Sequence, residues 1–286
     1  MSTVVTRNPA TGEELARYDA HDAAGVEQAL AEVAAASETW GATPLDDRLA
    51  LLRGVGKLLT ERREEYAALI TAEMGKPVTE ALGEVDKCAW NCEVVADLAP
   101  GWLADHEVAS GASRSWLSYE PIGVVFAVMP WNFPFWQVLR FASAALAAGN
   151  AALLKHSPDV TGCALAIEEL FVDAGAPAGL FRSLVVAAED VPVVSRRIVE
   201  DPRVAAVTLT GSERAGSSIA AIAGASIKKT VLELGGSDPF VVLADADLPE
   251  AAAAAARSRV GNAGPDNPAG LPAGSDLGRY PERTAP

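Results

Sequence analysis

Among the 286 residues there are three cysteines, three histidines and three methionines, and no apolar run approaches the roughly 20 residues needed to span a bilayer. Three cysteines, at positions 88, 92 and 163, are too few for a disulfide framework. Cys88 and Cys92 lie one helical turn apart with no nearby histidine to complete a metal site. All three read as small buried residues, and no metal is expected. Positive charge is also scarce: 23 Lys and Arg face 38 Asp and Glu, a formal charge of −15 spread along the chain. Such a surface repels a phosphate backbone, so nucleic acid is not an expected partner, although amides at a helix start still hold phosphate locally. The opening MSTVVTRNPATGEEL has no basic segment followed by an apolar stretch and a cleavage site, so the expectation is a cytoplasmic protein without membrane association.

Half the residues are hydrophobic and 21% are charged, the balance of a globular protein long enough to bury a core without staples. From about Ala23 to Pro100 the pattern predicts three helices. In the second, Thr43 is the expected cap, Pro44 presets the first turn, and Asp46 and Asp47 suit the positive end of the helix. Leu45, Leu49, Leu52 and Leu59 recur at helical spacing, and Gly75-Lys76-Pro77 breaks the pattern.

From Ile122 onward, short apolar runs alternate with helical stretches: IGVVFAV, AALLK, FRSLVV, VAAVTLT and KTVLEL. Their spacing suits strand-helix-strand units, which predicts an α/β fold: a Rossmann-like, doubly wound parallel sheet behind an amino-terminal helical region. Three parts are expected: 1–120, helical with a connecting strand; 121–263, Rossmann-like; and 264–286, a tail with nine prolines and glycines among 23 residues, expected to be disordered. In such a sheet ligands sit beyond the carboxyl ends of the strands, so the candidate site is made of the segments just after each one.

Those segments carry four motifs in order: MPWNFP (129–134), LLKHSP (153–158), TLTGSERAG (208–216) and LELGGSDPF (232–240). Together they resemble the aldehyde dehydrogenase superfamily, from about Asn8 to Gly264. FWQVLR and VLADADL resemble most the bacterial NAD(P)-dependent succinate-semialdehyde dehydrogenase branch.

The resemblance implies oxidation of an aldehyde, succinate semialdehyde by that branch, with NAD or NADP as hydride acceptor. A cysteine thiolate first adds to the carbonyl, because a planar aldehyde is a poor hydride donor and the tetrahedral adduct is a good one. Asn132 would donate to the developing oxyanion, worth ~3 kcal/mol where donors are preorganised. Its alternative is a helix cap. Glu233 would be the general base, partly desolvated between Leu232 and Leu234, or else a strand-end carboxylate in a salt bridge.

For the cofactor, Gly211, Ser212 and Gly216 read as a loop before a helix where free amides favour pyrophosphate. The family places Lys155 at the adenosine ribose, Met129, Pro130 and Trp131 on the nicotinamide side, and Leu234 and Gly235 beside the cofactor. Where many members have a ribose-gripping glutamate, this chain has Pro158, so a 2′-phosphate should be tolerated, with Lys155 and Ser157 as partners. Phe133, Gln137 and Arg140 share one helix face that would line the aldehyde tunnel, Arg140 meeting a distal carboxylate or, alternatively, a surface ion pair.

The family's nucleophile lies in a segment reading approximately N-x-G-Q-x-C. Here Asn262, Ala263 and Gly264 are followed by Pro265, Asp266, Asn267 and Pro268. The expectation is a carboxy-terminally truncated member, which a change of reading frame near codon 265 would explain, without useful turnover alone and with exposed apolar surface. Longer relatives are expected to be homo-oligomers; for this chain oligomerisation is doubtful.

Overall fold

The computed structural model describes residues 2–236 and 239–263. The tail expected at 264–286 lies outside the described residues. Residues up to Leu234 form one unit, and those from Gly235 a second.

The first unit opens with a hairpin of β1 (Thr3–Arg7) and β2 (Glu14–Asp19), for which no expectation was formed. Its turn uses the Asn8 side chain, which accepts from the Ala10 amide, and Gly12 at φ 75°. Four helices follow where three were expected: α1 (Ala23–Gly41), α2 (Leu45–Glu61), α3 (Arg63–Met74) and α4 (Val78–Trp102). The additional break is at Arg62 (φ −105°, ψ 22°), whose guanidinium bonds Asp173 at 2.5 Å. No glycine or proline marks it, so composition alone could not locate it. Thr43 does not cap α2: Pro44 holds that position, and the Thr43 hydroxyl donates to the Thr39 carbonyl at 3.1 Å. The Gly75 break is as read. Gly75 ends α3 at φ 87°, and a Cβ there would stand 2.6 Å from the Pro9 ring, so only glycine fits.

A small ribbon of β3 (His106–Glu107) and β4 (Trp116–Leu117) leads to the sheet. All five expected strands are present: β5 (Val124–Met129), β6 (Ala151–His156), β7 (Phe181–Ser183), β8 (Val204–Gly211) and β9 (Lys229–Leu234). Every pairing is parallel, in the order β7-β6-β5-β8-β9. The connecting helices are α5 (Trp136–Ala147), α6 (Thr161–Asp173), α7 (Val191–Glu200) and α8 (Glu213–Ala225). β5 and β6 are almost wholly buried, as parallel strands covered on both faces should be, whereas β9 at the edge is half exposed.

One core joins helices and sheet: Leu52, Leu59, Ile70 and Val85 from the helical region share it with Phe126, Leu139, Leu153 and Phe171. The cysteines are buried in it, free of disulfides as expected. Among the described residues no helix is long and apolar enough to cross a membrane. In the second unit, α9 (Leu248–Val260) is capped by Asp247, which accepts from the Glu250 amide, and carries Arg257 and Arg259 in its last turn.

Candidate active site

The strand order runs outward from β5 in both directions, β6 and β7 to one side, β8 and β9 to the other. The crevice between the ends of β5 and β8 is therefore the place where such a sheet takes ligands. Parallel register sets the motifs side by side: Met129 opposite His156, Thr210 opposite Glu233 and Gly211 opposite Leu234.

Met129 closes β5 as a buried residue, and the half-buried Pro130, Trp131, Asn132 and Phe133 form the turn into α5. Pro134 lies just before Phe135, the cap of α5, in a turn closed by the Gln137 amide on the Phe133 carbonyl at 3.1 Å. Asn132 precedes that turn, on the crevice side of the sequence. His156, absent from the expected site residues, holds the turn from below. The Ser157 amide donates to its Nδ1 at 2.9 Å, so the ring proton sits on Nε2 and is donated to the Pro134 carbonyl at 2.9 Å. Burial pushes this imidazole down to about 4, against the opposing effect of that carbonyl, so it is neutral at physiological pH.

Lys155 is 7% exposed near the end of β6. Burial pushes its ammonium down to about 8, opposed by the charge of Asp159. Among the described residues no carboxylate forms an ion pair with it. Although Pro158 replaces the glutamate, a carboxylate is nearby: Asp159, the residue after the lysine motif, accepts from the Ser157 hydroxyl at 2.8 Å.

On the other side, Gly211 ends β8 and Ser212 caps α8, its hydroxyl accepting from the Ala215 amide at 3.3 Å. Gly216 is not in the loop, as expected from sequence, but inside α8. A Cβ there would meet Leu234 Cδ2 at 2.4 Å, so this glycine lets the helix lie close on β9. The end of β8 and the first amides of α8 are what the loop presents to the crevice.

Glu233 shows the salt bridge that was the alternative to a desolvated carboxylate. Its side chain is 47% exposed rather than desolvated, and it is ion-paired with Arg140, itself 37% exposed. Arg140 also donates to Gln137 Oε1 at 3.0 Å, so Gln137, Arg140 and Glu233 form one chain of contacts. Phe133 faces elsewhere, its ring under the Lys76 ammonium at 3.9 Å. Leu234 ends β9, and Gly235 and Gly236, both exposed, begin the second unit.

Two further residues at the turn escaped the sequence reading. Lys76 and Glu84 are buried beneath it, and Glu84 accepts from the Phe135 and Trp136 amides. No thiol stands at the strand ends: Cys163 lies in α6, and burial together with the neighbouring Glu73 pushes it up, while burial pushes Cys92 up to about 12. The hollow of about 620 Å³ lined by Glu32, Thr39, Phe171, Phe181 and Arg182 opens at the amino-terminal end of β7, away from this chemistry.

Residues 2–266 match the family described as the aldehyde dehydrogenase family. A probable succinate-semialdehyde dehydrogenase [NADP(+)] of Synechocystis is 48% identical over 261 residues, covering 91% of this chain and 57% of that protein. A succinate semialdehyde dehydrogenase [NAD(P)+] of Escherichia coli is 46% identical, over 91% of this chain and 55% of its own length. Among solved structures, succinic semialdehyde dehydrogenase of Streptococcus pyogenes in complex with NADP+ superposes with a TM-score of 0.86 at 37% identity, covering 91% of this chain and 57% of that one. The chain thus spans little more than half the length of the relatives it matches.

Proposed function

The chain belongs to the aldehyde dehydrogenase family, and from that premise we propose that it holds NADP or NAD across the carboxyl ends of β5, β6 and β8, in service of oxidising succinate semialdehyde to the acid. When bound, the nicotinamide cofactor supplies the hydride acceptor. The observation that carries the reading is Lys155: a buried cation at a strand end, helped by the charge of Asp159 but ion-paired to no carboxylate among the described residues, is costly unless a ligand anion compensates it further. The ribose end of NADP, with its 2′-phosphate, is such an anion.

In this reading the Ser157 hydroxyl assists Lys155. The end of β8 at Gly211 and the start of α8 at Ser212 receive the pyrophosphate, and Met129, Pro130 and Trp131 back the nicotinamide, with Leu234 beside it. Gly216 acts by close packing rather than by contact. Asn132 donates its amide to the oxyanion, and Arg140, steadied by Gln137, takes the substrate's far carboxylate. Glu233 removes a proton from the hydrolytic water once it has left Arg140. Residues 1–120 support the cofactor region 121–263, in a cytoplasmic protein whose longer relatives assemble as homo-oligomers.

The 286 residues alone bind cofactor without turning over, because their three thiols are buried and lack thiolate character. Calorimetric titration with NADP+ and NAD+, paired with reduced-cofactor absorbance in the presence of succinate semialdehyde, tests both parts. Binding without turnover is the expected result. Steady NADPH formation removes the second part, and the absence of any binding removes the first.

A further inference from the structure

Lys76 and Glu84 are the two ends of an ion pair closed at 2.5 Å with both side chains 1% exposed. Burying two charges costs several kcal/mol per ion, and apolar residues of similar volume commonly do as well or better for stability. The pair therefore calls for a task that apolar side chains cannot perform. Its surroundings supply one. Glu84 Oε1 accepts from the Phe135 amide at 2.8 Å and the Trp136 amide at 2.9 Å, which are donors otherwise left over at the start of α5. Glu84 Oε2 accepts from Lys76 Nζ, and the same ammonium lies 3.9 Å from the Phe133 ring centroid. The chain aims Lys76 inward by a short turn, with left-handed Gly75 before it and Pro77 at the cap of α4 after it.

Residues 133, 135 and 136 are thus gripped by one buried pair, while His156 takes the carbonyl of residue 134 between them. We infer that Lys76 and Glu84 are positioning residues: they fix the turn 129–135 and so set where its nicotinamide-side residues and Asn132 stand. This rests on the cofactor reading proposed above. The carboxylate supplies the acceptor for two amides, and the ammonium keeps that carboxylate neutralised and the Phe133 ring in place.

The test compares two double variants of the full 286-residue chain, neither of which retains a buried charge. Lys76→Met with Glu84→Gln keeps a side-chain carbonyl for the two amides, whereas Lys76→Met with Glu84→Leu removes it. Each is titrated with NADP+, which reaches the turn, and with 2′,5′-ADP, which carries only the adenosine half. The Gln variant should keep the greater part of the parent's NADP+ affinity, and the Leu variant should bind about tenfold more weakly than the Gln variant, within the usual range for coupled sites. 2′,5′-ADP should bind all three alike. Should the Leu variant fail to fold, Glu84→Asp, one methylene shorter, is expected to give the same split on a smaller scale. Equal NADP+ affinity in the two variants, or 2′,5′-ADP weakening in step with NADP+, overturns the inference and leaves the pair with a structural role only. A parent that binds neither nucleotide overturns the cofactor reading instead, and the inference with it.

Discussion

On the β5–β6 side of the crevice the polar side chains are buried and engaged: Lys76, Glu84 and His156 hold one turn through four contacts, and Lys155 is 7% exposed near the end of β6. On the β8–β9 side Ser212 is exposed, Glu233 is 47% exposed, and β9 is an edge strand with Val231 and Leu234 open to solvent. The roles proposed for Asn132 and Glu233 would account for the contrast. A donor aimed at a developing oxyanion works only if it does not have to reorganise, whereas a carboxylate that shuttles protons must be able to move. The same sheet carries a rigid lip and a loose one.

The comparison breaks most readily at Lys76. The single change Lys76→Met leaves the Glu84 carboxylate buried and unpaired, so about 3–5 kcal/mol of stability should be lost, and most of it regained in Lys76→Met with Glu84→Gln. Urea unfolding of the three proteins decides, and a loss below 1 kcal/mol in the single variant would mean that the lip is not rigid.

His156 comes next. Its folded pKa, about 4, is below the usual 6.5. Between these values the unfolded chain binds more protons, so stability is complete above pH 6.5 and declines as pH falls toward 4, by up to about 3 kcal/mol. His156→Gln should flatten the unfolding free energy in that window, and an unchanged slope would assign the acid sensitivity elsewhere.

Lys155 offers a smaller and ligand-specific effect. With a pKa of about 8 the ammonium is mostly charged at pH 7 and mostly neutral at pH 9, so NADP+ affinity should fall about tenfold across that interval, and NAD+ affinity less. Parallel pH profiles for the two cofactors would show that Lys155 does not meet the 2′-phosphate.

The smallest effect belongs to the loose lip. An ion pair as exposed as Arg140–Glu233 is worth less than about 1 kcal/mol, so Glu233→Gln should tighten succinate binding by no more than about fivefold, and only while Arg140 is present. Tightening that persists in an Arg140→Gln background would place succinate at another residue.

The rigid lip was the harder one to read from sequence. Strands, their order of appearance and the motifs at their ends follow from apolar runs and turn residues, which are local signals. Lys76 and Glu84 look like solvated surface charges until the fold places α4 beneath a turn some fifty residues later. His156 is likewise silent in a strand, since its partner Pro134 is 22 residues away. Gly216 was legible as a glycine that matters but not for its reason, because the Leu234 methyl it makes room for lies on another strand. The hairpin β1–β2 and the break at Arg62 went unread for want of periodicity in one and of a breaker in the other.

The imidazole of His156 is bonded at both nitrogens to main chain, to the amide of residue 157 on one side and to the carbonyl of residue 134 on the other. That makes it a strut rather than a switch. One flat ring therefore ties the segment after β5 to the segment after β6, and neither can shift without breaking a main-chain hydrogen bond or carrying the other with it.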